Sequence, residues 1–500
     1  MSFAIELGDH YAFTTVLGIA AFTGALLYLI STLIDSRKVF SRFNRAPSFS
    51  QPAEKPSVTT AEKQSYVNTF PPSQRTTIAE LGPHFADVKE VDLAVTPKPL
   101  LRVDANYRSA DPSLFNFSGF SIDDIQKLGD FPDYAAISGV PLPSPLANFD
   151  IDKAVPRPYR PFRWAYHQTM CKSRQYSTFH ELKLIPRLLA LTKMDTDFWI
   201  ELENTYRERV AERKDLYAKN GSDVLDSMPG SELACKELME MVIQFICARY
   251  PNQFKLEGNV LYNNILGTTT DLSATEPLIV LLDNVPEDFG IMLRDHETGK
   301  YVLRAGIICS SVGWKLSEKA GLGLPGIHKV VPDYKEKMEF SMDRFFTKMP
   351  TNKPIQRGSW GLEKGQPLYL PSEHPEFSHR EHQNPSLQPE DVHLRVDWQT
   401  LRRLPLSGGV VFNFKALFTP LTEFKDEPYI PSLVLKVLNE GKESLLKYKG
   451  TWHVEHVVKP TLKEYEKYQV ENGLIEKDWE PQTLAEAPFF KGWEKKWTIQ

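Results

Sequence analysis

His328 lies in Gly326-Ile327-His328-Lys329-Val330-Val331-Pro332, among apolar neighbours and downstream of a strand-like run. A neutral imidazole in such a setting donates a lone pair to a metal, iron among them, or serves as a hydrogen-bonded core residue. The neighbours alone leave both readings open. Two other runs combine cations with aromatic surface: Arg357 and Trp360 in Gln356-Arg357-Gly358-Ser359-Trp360, and Arg395, Arg402 and Arg403 around Asp397-Trp398-Gln399. Guanidinium forks hold the carboxylates of a bound ligand through paired hydrogen bonds, or they form surface ion pairs.

Other motifs carry less. Gly321, Gly323 and Gly326 spell G-x-G-x-x-G, but a dinucleotide loop needs a strand directly before it and a helix opening within it. Here Lys315 to Ala320 reads as helix and the continuation through Pro332 does not, so the glycines are expected to end a short helix and turn the chain. His374, His379, His382 and His393 cluster among Pro371, Pro375 and Pro385, the composition of a solvated loop. His453 and His456 can share a helical face, yet neither His379-Arg380-Glu381-His382 nor His453-Val454-Glu455-His456 has the H-E-x-x-H spacing that places two ligands and a base together. The sequence shows no G-x-S-x-G elbow, no P-loop and no cysteine nucleophile setting.

These residues need elements to position them. Phe198, Leu202, Tyr206 and Val210 recur every four residues after Asp195, which predicts an amphipathic helix capped by that aspartate. Leu238, Met241, Val242, Phe245 and Ile246 predict a second helix from Ser231 to Pro251, with its stripe in the core. Ile291 to Arg294 and Tyr301 to Cys309 flank His296-Glu297-Thr298-Gly299 as a hairpin would. Val410, Phe412, Phe414, Ala416 and Phe418 alternate along a half-buried strand. Helices first and antiparallel strands later indicate an α+β fold.

The chain has 500 residues, 41% hydrophobic and 25% charged, which excludes a wholly disordered chain, a collagen-like fibre and a polytopic membrane protein. A net charge of -5 supplies no global field for binding DNA or RNA, so no nucleic-acid partner is expected. Its four cysteines, Cys171, Cys235, Cys247 and Cys309, form no Cys-x-x-Cys pair, which suits a reducing compartment. From Tyr11 to Ile34 no side chain is charged, and a helix of that length reaches about 36 Å, enough to cross a bilayer. Arg37, Lys38, Arg42 and Arg45 follow, so the positive-inside rule puts everything downstream in the cytoplasm. The expected organisation is an N-terminal segment 1–36 with one transmembrane helix, a basic and then Pro-rich linker 37–100, and a single domain 101–500.

Five runs, taken together, point further. Pro161-Phe162-Arg163-Trp164-Ala165-Tyr166-His167-Gln168-Thr169-Met170, Gly313-Trp314-Lys315-Leu316-Ser317-Glu318-Lys319, the His328 run, the Arg357 run, and the stretch from Leu394 to Pro405 resemble the haem-dependent oxidative N-demethylase α-subunit-like family. The resemblance covers roughly Arg157 to Gly473. It implies a PAS-like antiparallel sheet core with surrounding helices that binds haem b. In the characterised bacterial member, that core oxidatively removes a methyl group from a small amine, releasing formaldehyde with electrons from partner subunits. By position, His328 matches the histidine of the family's I-H-x-P-V-P motif and becomes the iron ligand. Arg357, Arg395 and Arg402 become partners of the haem propionates, and Trp360 packs on the porphyrin. No flavin or iron-sulfur motif lies in this chain, so the resemblance also implies a separate electron-donating reductase.

Three departures from the family pattern stand out. Val330 replaces the first proline of the motif, and Asp397-Trp398 stands where Glu-Arg is expected. Cys171 to Ala190 interrupts a run that is continuous in relatives, as a translated intron would. Two other functions stay open at this point: a PAS-like haem redox or gas sensor without turnover, and a structural membrane protein with a degenerate pocket.

Overall fold

The computed structural model describes residues 125, 127–164, 191–295 and 298–497. The membrane segment expected at Tyr11–Ile34, the linker 37–100 and the interrupting stretch 171–190 lie outside the described residues. Among the described residues no helix is long and apolar enough to cross a membrane.

The described chain begins with the one-turn helix α1 (Tyr134–Ser138) and the two-residue strand β1 (Thr192–Lys193). Then come α2 (Tyr206–Asn220), β2 (Leu225–Ser227) and α3 (Glu232–Arg249). A small sheet of β3 (Phe254–Glu257), β4 (Val260–Asn263) and β5 (Thr268–Asp271) leads into α4 (Pro277–Asn284). The hairpin β6 (Asp288–Arg294) and β7 (Tyr301–Ile307) follows. Four short helices come next: α5 (Leu316–Lys319), α6 (Leu324–Ile327), α7 (Tyr334–Lys337) and α8 (Glu339–Lys348). The long strands β8 (Ile355–Lys364), β9 (Val392–Arg403) and β10 (Val410–Pro420) complete the sheet. The C-terminal helices are α9 (Ile430–Glu440), α10 (Glu443–Lys449) and α11 (Trp452–Glu471).

The main sheet runs β1-β8-β9-β10-β6-β7-β2, with every neighbouring pair antiparallel. Its five central strands therefore stand, counted in chain order, as second, first, fifth, fourth and third, with α5 to α8 inserted between the second and third. An antiparallel sheet offers no parallel βαβ unit, so the G-x-G-x-x-G run cannot be a dinucleotide fingerprint. The glycines have another use. Gly321 takes φ +80°, its N–H donates to the Leu303 carbonyl, and the Leu303 N–H returns to Leu322. With the Val302–Gly323 bridge, this splices the chain onto β7 before Gly323 starts α6. As expected, the chain from His328 to Pro332 is not helical; α6 is a single turn inside the glycine run, which Pro325 favours by supplying a preset φ in the first turn.

The hairpin, the Val410 strand and the Ser231 helix form where expected. The helix predicted from Asp195 does not run through: Asp195 caps a 3-10 turn (Thr196–Phe198), and α2 starts at Tyr206. Glu203 accepts from both the N–H and the hydroxyl of Thr205, which holds the intervening chain in a local turn instead. α3 is buried around nearly its whole circumference rather than along one stripe. Its acids are satisfied inside the protein. Glu237 accepts from the Leu406 and Ser407 N–H groups and the Ser407 hydroxyl, and Glu240 accepts from Tyr134.

Alternation along the strands divides the core. The front of the sheet carries Met292, Leu303, Leu401, Val410 and Phe414, which pack with Leu316, Leu324, Tyr334, Met342 and Phe346 of the four inserted helices. Behind the sheet, Phe289, Ile291 and Val411 pack on α3 and α4, while Trp360, Leu362, Val396 and Trp398 pack with α9, α11 and Tyr159–Trp164.

Candidate functional site

His328 closes α6. Its Nδ1 bonds to the Leu324 carbonyl one turn back at 2.8 Å, and its ring stacks on Tyr334 with centroids 4.8 Å apart and planes 4° from parallel. A carbonyl can only accept, so Nδ1 carries the proton and the lone pair lies on Nε2. That nitrogen makes no hydrogen bond among the described residues. Burial holds the His328 pKa down to about 4; the Leu324 carbonyl pulls the other way, while the charges of Arg357 and Lys319 add to the depression. The ring is therefore neutral at pH 7, the form that ligates a metal. Lys319 Nζ donates to the Ile327 carbonyl at 2.8 Å and lies 5.2 Å from the Trp314 ring centroid, holding the end of α6 from below.

Ile327 and Tyr334, beside this ring, share a hydrophobic cluster with Leu401 and Phe414 on the front of β9 and β10. Arg357 pairs across strands with Gln399, and Gln399 with Phe414. All three side chains leave the same face, as do Ser359 and Asp397. The Gln399 Oε1 is fully buried and has no hydrogen-bond partner among the described residues. Asp397 accepts from Arg395 Nε at 3.0 Å, and burial raises its pKa against the pull of that guanidinium. Lys449, at the end of α10, donates to the Trp360 carbonyl at 2.8 Å; burial lowers its pKa to about 8, with Arg357 adding to the effect.

The structure brings His328 and Arg357 to one side of the sheet and separates the other residues singled out from sequence. Arg395 is on the same face, but its Nη1 donates to the Pro367 and Leu368 carbonyls and its Nη2 to the Ser310 carbonyl, so these donors are spent on two loops. Arg402 is an even-numbered residue of β9 and points behind the sheet, where its guanidinium lies 4.3 Å from the Trp199 ring centroid. Burial lowers its pKa to about 9. Trp360 also points backward, 4.9 Å from the Phe162 ring centroid. Of the two departures in β9, Trp398 faces rearward and stacks on Tyr159 at 3.9 Å, so it removes no cation from the front. Val330 is 70% exposed, so the missing proline is a surface change.

Sequence reading missed Tyr334, Gln399, Lys319 and Lys449. Period-two counting along the strand would have grouped Gln399 with Arg395 and set Arg402 apart. Tyr334 had no such signal, because the stacking depends on the turn between α6 and α7. Among the described residues no group of three or more His, Cys, Asp or Glu side chains is gathered to hold a bare metal ion. An iron whose equatorial donors come from a porphyrin asks the protein for one imidazole, and the donor set here fits that demand. The second nitrogen of a metal-bound imidazole ordinarily donates to a carbonyl or carboxylate, as Nδ1 does here. Arg357 is the cation on the same face for an anionic edge.

A surface cleft of about 830 Å³ between α2 and the β8–β9 end, lined by Glu208, Glu212 and His393, contains none of these residues. A family model described as haem-dependent oxidative N-demethylase, alpha subunit-like, matches residues 190–459, more than half of the chain. Four of the five runs that carried the resemblance fall inside that span, and Pro161–Met170 precedes it.

Proposed function

The chain belongs to the haem-dependent oxidative N-demethylase α-subunit-like family, and from that premise we propose that it binds haem b in front of the sheet and demethylates a small amine. The observation that carries this reading is the His328 ring, with Nδ1–H held by Leu324 and Nε2 left for iron. His328 would hold the iron and Arg357 would pair with a propionate. Arg395, Arg402 and Trp360, with their contacts described above, are better explained as parts of the scaffold. Haem in this position supplies dioxygen activation, so that an N-methyl group, dioxygen, two electrons and two protons become formaldehyde, water and the shortened amine.

The protein's share is positional. Tyr334 and the Leu324 carbonyl orient the imidazole, Phe414 and Leu401 keep water from the front of the sheet, and Arg357 sets the charge beside it. The second-first-fifth-fourth-third strand order, with helices inserted between the second and third, supports a PAS-like core. The two electrons would come from a separate reductase. Through Tyr11–Ile34 the chain would be a single-pass membrane protein with its large domain in the cytoplasm, a reading supported by the uncharged span and the basic residues after it.

Haem titration into the purified full chain tests this. A sharp absorbance band near ~400 nm is expected, together with its loss in His328→Ala; an unchanged band in that variant overturns the ligand assignment. Formaldehyde release from methylamines with a supplied electron donor then separates an enzyme from a haem sensor.

A further inference from the structure

Behind the sheet, the seam between the two rear clusters contains a small pocket. Trp199 reaches it from the cluster around α3 and α4, Trp398 of β9 reaches it from the cluster around α9 and α11, and Glu287, between α4 and β6, completes the wall. The three are almost inaccessible, at 3%, 7% and 2% exposure. Trp199 Nε1, Trp398 Nε1 and Glu287 Oε2 nevertheless have no hydrogen-bond partner among the described residues. Buried polar atoms in folded chains are nearly all paired, so three of them around one pocket call for a partner that the chain itself does not supply.

The other polar groups of the wall are engaged. Glu287 Oε1 accepts from the Glu201 N–H at 3.1 Å, while Lys415 Nζ donates to the Glu201 carbonyl at 2.7 Å and pairs with Glu203 Oε1 at 3.1 Å. Asn413 accepts from the Thr400 hydroxyl at 2.8 Å and donates to the Asp288 carbonyl. The pocket therefore offers a ligand two N–H donors and one carboxyl oxygen, and it leaves about 10 Å³ for the centre of the occupant, room for one water.

Chemistry narrows the choice further. A cation cannot accept from an indole N–H, and an anion would lie beside the carboxylates of Glu201 and Glu287. An apolar molecule would leave all three atoms unpaired. Water accepts two hydrogen bonds while donating others, and buried waters typically make about three.

We propose that this pocket binds a single water molecule, which accepts from the indole N–H groups of Trp199 and Trp398 and donates to Glu287 Oε2. The water joins three separate stretches of chain across the seam between the rear clusters. The site is independent of the demethylase reading, since it lies on the opposite side of the sheet from His328.

The test is a crystal structure of the full chain, grown above about pH 7 so that Glu287, raised to about 7 by burial, is a carboxylate. One density peak is expected about 2.7–3.2 Å from all three atoms. A pocket without density, or one closed by bonds between these atoms and other protein groups, overturns the assignment. Nuclear magnetic resonance reads the same site in solution. The Nε1–H signals of the two indoles, identified by Trp199→Phe and Trp398→Phe, are expected to show cross-relaxation with water although bulk solvent does not reach them. Glu287→Gln retains an acceptor and should keep both cross-peaks, whereas Glu287→Met removes it and should lose them. Cross-peaks absent from the parent chain, persisting in Glu287→Met, or lost equally from both variants overturn the proposal. If Glu287→Met does not fold, Trp398→Phe takes its place: a weakened Trp199 cross-peak is expected, and an unchanged one overturns the assignment.

Discussion

Pro161 packs directly on the bare α-carbon of Gly358: a Cβ added there would lie 2.6 Å from Pro161 Cβ and 2.9 Å from its Cγ. Two runs nearly 200 residues apart in the chain are thus one contact in space, which explains why the second contains a glycine between Arg357 and Ser359.

Gly358→Ala is therefore expected to cost about 1–3 kcal/mol by overpacking, measured by urea denaturation. Combined with Pro161→Gly, the loss should be smaller than the sum of the two single losses, since the clash has gone. Strict additivity would mean the two residues do not share the strain.

Arg395 and Arg357 differ in role despite sharing a face. Arg395→Met strands three loop carbonyls and is expected to lower stability by about 2–4 kcal/mol, while changing haem affinity by less than about threefold. Arg357→Met should do the reverse, weakening haem binding about tenfold with a smaller loss of stability. Urea curves and haem titrations on both variants decide it; a larger haem defect in Arg395→Met would return that residue to the propionate set.

His328 makes stability depend on pH in a predictable direction. Its pKa in the folded chain is about 4, below the ordinary histidine value, so between about pH 6.5 and 4 the unfolded chain binds a proton that the folded chain refuses. Stability from this group is complete above the unfolded pKa and falls with acid, by on the order of 1–2 kcal/mol from pH 7 to 5 for the haem-free chain. Glu237 and Glu287 act oppositely, because burial raises each to about 7. The readout is therefore the difference between wild type and His328→Asn, which should narrow as the pH is lowered; a constant difference would show that the ring titrates normally.

Arg160 and Glu427 form a buried two-pronged ion pair, with Nε and Nη2 each 2.7 Å from a carboxylate oxygen. Lys496 Nζ also reaches Glu427 Oε1 at 2.9 Å, so Arg160→Leu leaves the buried carboxylate one cation and should cost about 2–3 kcal/mol, and Arg160→Leu with Glu427→Leu should recover much of that. Chemical denaturation of the three variants measures it. A double variant as weak as the single would place the value of the pair in its geometry.

The parts of the fold legible from sequence were those whose signal is local. The hairpin at His296–Gly299 and the strand from Val410 announce themselves in turn residues and alternation, and α3 in its spacing. The candidate site was half legible: residue type singles out His328 and Arg357, which the fold brings to one side of the sheet, but also Trp360 and Arg402, whose even position along a strand sends them to the other face. The missed neighbour, Tyr334, depends on how α6 and α7 meet, which no short window of sequence encodes.

One feature of α6 reaches beyond ligation. The imidazole is tied to the carbonyl of its own helical turn, and that turn is laced by main-chain bonds to β7 through Gly321, Leu322 and Gly323. A pull on Nε2 is therefore felt by the backbone through the Nδ1–Leu324 hydrogen bond, which limits how far the ring can swivel. Whatever the ring grips is thereby tied, through one hydrogen-bonded turn, to the edge of β7.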